Sequence, residues 1–245
     1  MLLTLRSLIF YLGYILLTAW FGISGIILFG WQPYEIRRRY ILLWNRLAIF
    51  WLKLVCGIKY QVTGLENITP GSMVVLSNHQ SQWETFYLQL LFQPLATIMK
   101  RELLNIPGFG WGLRLLKPIA IDRSNPRDAM RQMLEKGKHR IEQGISVLVF
   151  PEGTRSSEGS KKYARGGAAL AIESHAPLIM VAHNAGTYWP PHQLIKYPGT
   201  IEVHISAPLQ TEGKTARELT EFAQTWIEDQ VQSMSQGHLS RDKPL

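Results

Sequence analysis

Met73-Val-Val-Leu-Ser-Asn-His-Gln-Ser-Gln-Trp-Glu84 carries the chain from an apolar run, through a polar turn, to the start of a helix. A short unbroken apolar run bounded by turn residues reads as a strand buried on both faces. Ser81-x-x-Glu84 ahead of an apolar stretch is the signature of a helix N-terminus. Ser146-Val-Leu-Val-Phe-Pro-Glu-Gly-Thr-Arg-Ser156 repeats the first half of the pattern, again placing polar residues directly after a strand.

Outward from these two stretches the same rhythm continues. Strands are predicted at Lys59–Thr63, Met73–Ser77, Ala96–Met99, Ile119–Ile121, Ser146–Phe150, Leu178–Ala182 and Ile201–Ser206. Helices are predicted near Gln82–Leu91, Pro126–Glu142, Ala164–Ser174 and Lys214–Gln236. Alternating strand and helix implies an α/β fold, a central and mostly parallel sheet flanked by helices, over residues 59–245. Gly108-Phe-Gly-Trp-Gly112 reads as a tight loop in contact with a membrane, and the last eight or so residues as frayed.

Residues 1–58 differ in kind. No charged side chain occurs from Ser7 to Tyr34, which is long enough to cross or dip into a bilayer, whose core takes about 20 apolar residues. A cleaved signal peptide is the competitor, but its apolar region is shorter, about 7–15 residues, and ends at a small-residue cleavage site that is missing here. Pro33 breaks the run. In the second stretch, Tyr40 to Tyr60, Arg39, Arg46 and Lys53 recur every seven residues, while Trp44, Leu47, Trp51, Leu54 and Ile58 share another face. Basic residues opposite Trp and Leu suit a helix in the membrane interface. Together the two stretches predict an N-terminal hydrophobic helical hairpin anchor, with Arg37, Arg38 and Arg39 at anionic headgroups or on the cytoplasmic side.

The composition agrees with partial solvation by lipid. Of 245 residues, 46% are hydrophobic and 18% charged, and eight are Trp. A single cysteine, Cys56, rules out an internal disulfide framework and any multi-cysteine zinc site. The net charge of +8 draws anions. The basic residues form no long stripe, so nucleic acid is not an expected partner. His175, His183, His192 and His204 lack metal-ligand spacing, and no metal is expected. Neither a Walker-type phosphate loop nor a G-x-S-x-G nucleophile elbow occurs.

Ligands bind beyond the carboxyl ends of strands in open α/β sheets. Three polar clusters sit there: Ser77–Glu84, Lys100-Arg-Glu102 and Phe150–Ser156. Within one helix His79 and Glu84 would point about 140° apart. With His79 in the preceding turn and Glu84 in the first helical turn, the carboxylate can fix one ring nitrogen and leave the other as a base for a hydroxyl proton. Alternatively Glu84 merely closes a capping box with Ser81. Gly153 lets backbone approach a ligand, and Arg155 offers a planar fork for phosphate oxygens. Thr154 and Ser156 add hydroxyls, and Lys100 and Arg101 add charge; a solvated turn is the plain alternative.

In combination these residues resemble the glycerolipid acyltransferase family, specifically the bacterial-type 1-acylglycerol-3-phosphate acyltransferases, over roughly residues 60–210. The first family motif, His-x4-Asp, is matched by His79 to Glu84, with Glu for Asp. The second resembles Lys117-Pro-Ile-Ala-Ile-Asp-Arg123, with Lys117 where glycine is usual and Ala120 where an aromatic is usual. Phe150-Pro-Glu-Gly-Thr-Arg-Ser156 matches the third without change, and Ala176-Pro-Leu-Ile-Met-Val181 resembles the fourth, with Met180 for proline.

The resemblance implies a membrane enzyme of phospholipid biosynthesis at the cytoplasmic face of the cell inner membrane. It implies transfer of an acyl group from acyl-CoA or acyl-acyl carrier protein, as co-substrate, to the sn-2 hydroxyl of lysophosphatidic acid, giving phosphatidic acid. His79 and Glu84 would be catalytic. Arg155, with Lys100 or Arg101, would clamp the acceptor's phosphate, and Glu152 and Gly153 would shape its pocket. No cofactor and no acyl-enzyme are implied. Other lysophospholipid or lipid acceptors, and a non-enzymatic protein binding anionic lipid, are the alternative readings.

Overall fold

The computed structural model describes residues 1–155 and 162–241, with side chains to Ser235. Ser156 and the terminal residues 242–245 lie outside the described residues. The strands are β1 (Ile58–Thr63), β2 (Val74–Ser77), β3 (Leu95–Lys100), β4 (Ile119–Ile121), β5 (Ser146–Val149), β6 (Leu178–His183) and β7 (Gly199–Ile205). They form one sheet in the order β1-β7-β6-β2-β5-β3-β4. Every predicted strand is present. The sheet is mixed, because β7 runs antiparallel to β6, while the other neighbours pair in parallel. The carboxyl ends of β2, β3, β4, β5 and β6 therefore share one edge.

The central strands β2, β5 and β6 are buried at every position because both faces of the sheet are covered. Val75, Leu148 and Ile179 pack on one side, with α2 (Tyr34–Cys56) and α3 (Trp83–Leu91). Val74, Leu76, Val147 and Met180 pack on the other, with α5 (Pro126–Glu142), α6 (Gly166–Glu173) and α8 (Ala216–Arg241). Local signals explain where these helices begin. Asn125 Oδ1 accepts the Arg127 and Asp128 N–H groups at 3.0 and 3.4 Å, with Pro126 following, at the start of α5. Thr215 and Glu218 exchange reciprocal bonds at the start of α8.

The N-terminal residues form α1 (Leu2–Phe29) and α2, parted by a turn that ends at Pro33. α2 is not purely interfacial. Trp44, Ala48, Leu52 and Cys56, four apart, are buried in the core beneath the sheet. Of the face predicted from Trp44, Leu47, Trp51, Leu54 and Ile58, only Leu47 and Leu54 are exposed, Trp44 and Ile58 being buried. The sheet needs a cover there, and burial of each large apolar side chain yields about 1.5–3 kcal/mol. Arg39, Arg46 and Lys53 stay outside beside Leu43, Phe50 and Leu54.

α1 buries Phe10, Phe21, Gly22 and Gly25, and exposes Leu5, Leu12, Ile15, Leu16, Trp20, Ile23 and Ile27 on its other side. A continuous apolar face of this length, on a helix long enough to cross a membrane, belongs in lipid.

The glycine-rich run 108–112 departs from the loop expectation, since Phe109–Arg114 is helix α4, packed on α1. Gly108, at φ +71°, makes the turn into this helix, and the run also serves close contact with α1. A Cβ on Gly22 of α1 would fall 2.0 Å from the Gly108 carbonyl oxygen. Remaining short elements are α7 (Ala185–Tyr188) and the 3-10 turns Leu65–Asn67 and Arg101–Asn105.

Candidate active site

The turn after β2 presents His79, and α3 begins four residues later, at Trp83, so Glu84 lies in its first turn. His79 Nδ1 is 2.8 Å from Glu84 Oε1. The same oxygen accepts the N–H groups of Gln80 and Ser81 at 3.1 and 2.8 Å. The catalytic and capping readings of Glu84 are thus one arrangement: the carboxylate closes the helix start and holds the imidazole. An ionised carboxylate requires the proton on Nδ1, which leaves the Nε2 lone pair available as a base.

Glu84 is fully buried. Burial opposes its ionisation, but the His79 imidazole bonded to it and the Ser81 N–H outweigh that, holding the carboxyl below its ordinary range. Its Oε2 has no partner among the described residues. The His79 ring stacks on Phe150 from the turn after β5, with centroids 4.0 Å apart and planes at 16°.

That second turn carries Glu152, Gly153, Thr154 and Arg155. Glu152 Oε1 accepts the His79 backbone N–H at 3.1 Å, so it fixes the histidine and does not line the cavity. Gly153 has φ +76°, where a side chain would be strained. Its carbonyl accepts Arg123 Nη1 at 2.6 Å. Arg155 Nε is buried with no hydrogen-bond partner among the described residues, which leaves that donor for an incoming anion.

His79, Lys100, Arg123, Gly153, Thr154 and Arg155 all line one cavity of about 810 Å³. From this polar end the cavity extends between apolar side chains of α1, α2 and α4, including Phe21, Trp44, Phe109 and Leu113. Such a volume suits a lipid-sized ligand. Arg101 is not brought in: it turns to Asp122 at 3.7 Å and Gln132 at 3.5 Å, because the 3-10 turn that it opens points it along the surface toward α5.

Arg123, Tyr14, Thr18 and His192 also line the cavity and were not among the predicted site residues. Arg123 follows β4 at the shared edge, and its place after Ile119-Ala-Ile121 was a signal that position-by-position reading passed over. Tyr14 and Thr18 reach the cavity from α1; their sign is two hydroxyls one turn apart in an apolar helix. His192, with φ +58°, lines it from the segment after α7. Lys117 has φ +52°, a backbone conformation that favours glycine. Among the described residues no three His, Cys, Asp or Glu side chains are grouped so as to hold a metal ion.

Residues 59–184 match the family model named Acyltransferase. The chain is 44% identical to the 1-acyl-sn-glycerol-3-phosphate acyltransferase of Pseudomonas aeruginosa, across 98% of this chain and 96% of that protein. It is 30% identical to the Saccharomyces cerevisiae protein of the same name, across 80% of this chain and 67% of that one. The crystal structure of the 1-acyl-sn-glycerophosphate (LPA) acyltransferase PlsC from Thermotoga maritima superposes with a TM-score of 0.77 at 25% identity, covering 94% of this chain and 95% of that one.

Proposed function

The chain belongs to the acyltransferase family and is an O-acyltransferase, and on that premise we propose that it acylates the sn-2 hydroxyl of 1-acylglycerol-3-phosphate, using acyl-CoA or acyl-acyl carrier protein, to form phosphatidic acid. One observation carries the reading: His79, held by Glu84 at 2.8 Å, lines the same cavity as Arg155, whose buried Nε has no hydrogen-bond partner among the described residues.

His79 Nε2 takes the hydroxyl proton as the oxygen attacks the thioester carbonyl. The tetrahedral intermediate collapses, the C–S bond breaks, and the departing thiolate receives the proton from the imidazolium. Glu84 stabilises that imidazolium, and general-base assistance of this kind is worth about 10²–10⁴-fold. Arg155, with Lys100 and Arg123, takes the acceptor's phosphate; the apolar reach of the cavity takes acyl chain. Arg101 has no part in this clamp.

α1 and the exposed basic and apolar side chains of α2 hold the cavity at a bilayer, the cytoplasmic face of an inner membrane being the side where acyl-CoA and acyl carrier protein are available. Residues 1–58 act as the anchor in this reading, and 59–245 as the catalytic domain.

The test is incubation of the purified protein with lysophosphatidic acid and labelled acyl donor. Phosphatidic acid is expected from the wild type and at most a trace from His79→Ala. An acceptor panel separates the alternatives. A phosphate monoester should be preferred to lysophospholipids whose phosphate is a diester, because Arg155 offers several donors to one headgroup. Equal use of all acceptors would refute the clamp.

A further inference from the structure

β2 and β6 pair in parallel as far as Ser77 and Val181. Beyond the ladder, Asn78 and His183 continue the contact through side chains. His183 N–H donates to Asn78 Oδ1 at 3.1 Å, and Asn78 Nδ2 donates to the His183 carbonyl at 2.8 Å. His183 Nε2 lies 3.0 Å from the Asn78 carbonyl oxygen, while Ala185 N–H donates to His183 Nδ1 at 3.3 Å. A donor facing Nδ1 and an acceptor facing Nε2 select the neutral tautomer with its proton on Nε2. Burial, against the pull of Glu84, favours the same neutral form.

The carbonyl of Asn78 and the N–H of His79 belong to a single peptide unit. His183 and Ser77 Oγ hold the carbonyl, at 3.0 and 3.2 Å, and Glu152 holds the N–H at 3.1 Å. A peptide plane caught at both ends fixes the backbone from which the His79 ring projects. One further bond, Gly186 N–H to Gln80 Oε1 at 3.3 Å, ties down the following residue. His183 is fully buried and does not line the cavity, so it touches no substrate.

We propose that His183 is a positioning residue for the reaction: its neutral imidazole, through Nε2–H, pins the Asn78–His79 peptide and so aims His79 between Glu84 and the acceptor hydroxyl. The proposal rests on the reading of His79 as the base. A buried polar ring in an otherwise apolar strand costs free energy unless its bonds are made, and here each bond is made to the loop that carries His79 or to its own strand end.

The test compares His183→Gln with His183→Asn in the full-length protein in lipid nanodiscs. Both are neutral and polar; the Gln amide reaches the Nε2 position, and the shorter Asn amide does not. His183→Gln is expected to keep kcat within about threefold. His183→Asn is expected to lose about 10- to 100-fold in kcat, the scale of a misaligned reacting group, with KM for both substrates nearly unchanged. Equal kcat for the two variants, or a loss confined to KM, overturns the proposal.

A second measurement does not depend on turnover. In ¹⁵N-histidine-labelled protein, the His79 Nδ1–H bonded to Glu84 should give a downfield proton resonance. It should persist in His183→Gln and broaden or vanish in His183→Asn. A resonance unchanged in His183→Asn, or absent from the wild type, also overturns the proposal. If the wild type fails to acylate lysophosphatidic acid, the reading of function falls while the resonance still decides whether His183 positions His79.

Discussion

Glu84→Gln removes a charge and little else. Glu84 Oε1 accepts from His79, Gln80 and Ser81, all within 3.1 Å. A glutamine carbonyl can accept all three. Flipping the amide would set its NH₂ against two backbone N–H donors, so the correct His79 tautomer is retained. What is lost is the attraction between carboxylate and imidazolium as the proton moves. With charge centres about 4 Å apart and an effective dielectric near 20, that attraction is about 4 kcal/mol, equivalent to roughly 10³-fold in rate. The amide dipole restores part of it, which places the expected loss of kcat at about 10²–10³-fold. The assay is initial-rate acyl transfer at saturating donor and acceptor in nanodiscs, beside a thermal melt showing that the fold survives. Turnover within about fivefold of wild type in a folded variant would refute the electrostatic role of Glu84. A loss nearer 10⁴-fold, the scale of a wrong tautomer, would show that the amide had flipped.

Other outcomes follow from the same geometry. Arg155→Ala should lower kcat/KM for the acceptor by roughly 10–100-fold, the value of about 1.5–3 kcal/mol for a bond to a charged group; Arg155→Lys should recover part of it, keeping charge without the fork. An unchanged acceptor kcat/KM in Arg155→Ala would remove the guanidinium from the site. Gly22→Ala puts a Cβ 2.0 Å from the Gly108 carbonyl oxygen, backbone that cannot rotate aside. A destabilisation of about 1–3 kcal/mol is expected, read as a lower melting temperature, and an unaltered melt would contradict the close α1–α4 seam. Stability should also fall on acidification. Burial holds His183 neutral in the fold, its pKa below the ordinary imidazole range, so the unfolded chain takes up the extra proton as pH falls through about 6.5 and stability declines. Glu84, also held low, adds a further loss as pH falls through its folded value. His183→Gln should flatten the first part of that decline, and an identical pH–melting curve would refute the assignment.

Much of this was legible in the residues themselves. Apolar runs such as Val74-Val-Leu76 and Val147-Leu-Val149, closed by turn residues, declare strands because their neighbours in sequence suffice to bias the backbone. The His79–Glu84 spacing, Gly153 and Arg155 announce their chemistry in the same local way, and the uncharged run from Ser7 to Tyr34 announces lipid. Strand order is a different matter. It depends on which apolar faces meet, and only the meeting of β2 with β6 sets Asn78 against His183, 105 residues away. Only packing put Tyr14 and Thr18 of the apolar helix into the cavity wall and turned Arg101 out of it. It also made a helix of Phe109–Arg114 against α1, taking up Gly110 and Gly112 and leaving the turn to Gly108. A residue's own conformation answers mostly to its neighbours along the chain. Which distant groups share a cavity answers to the burial of whole faces, a sum over the molecule that no single stretch contains.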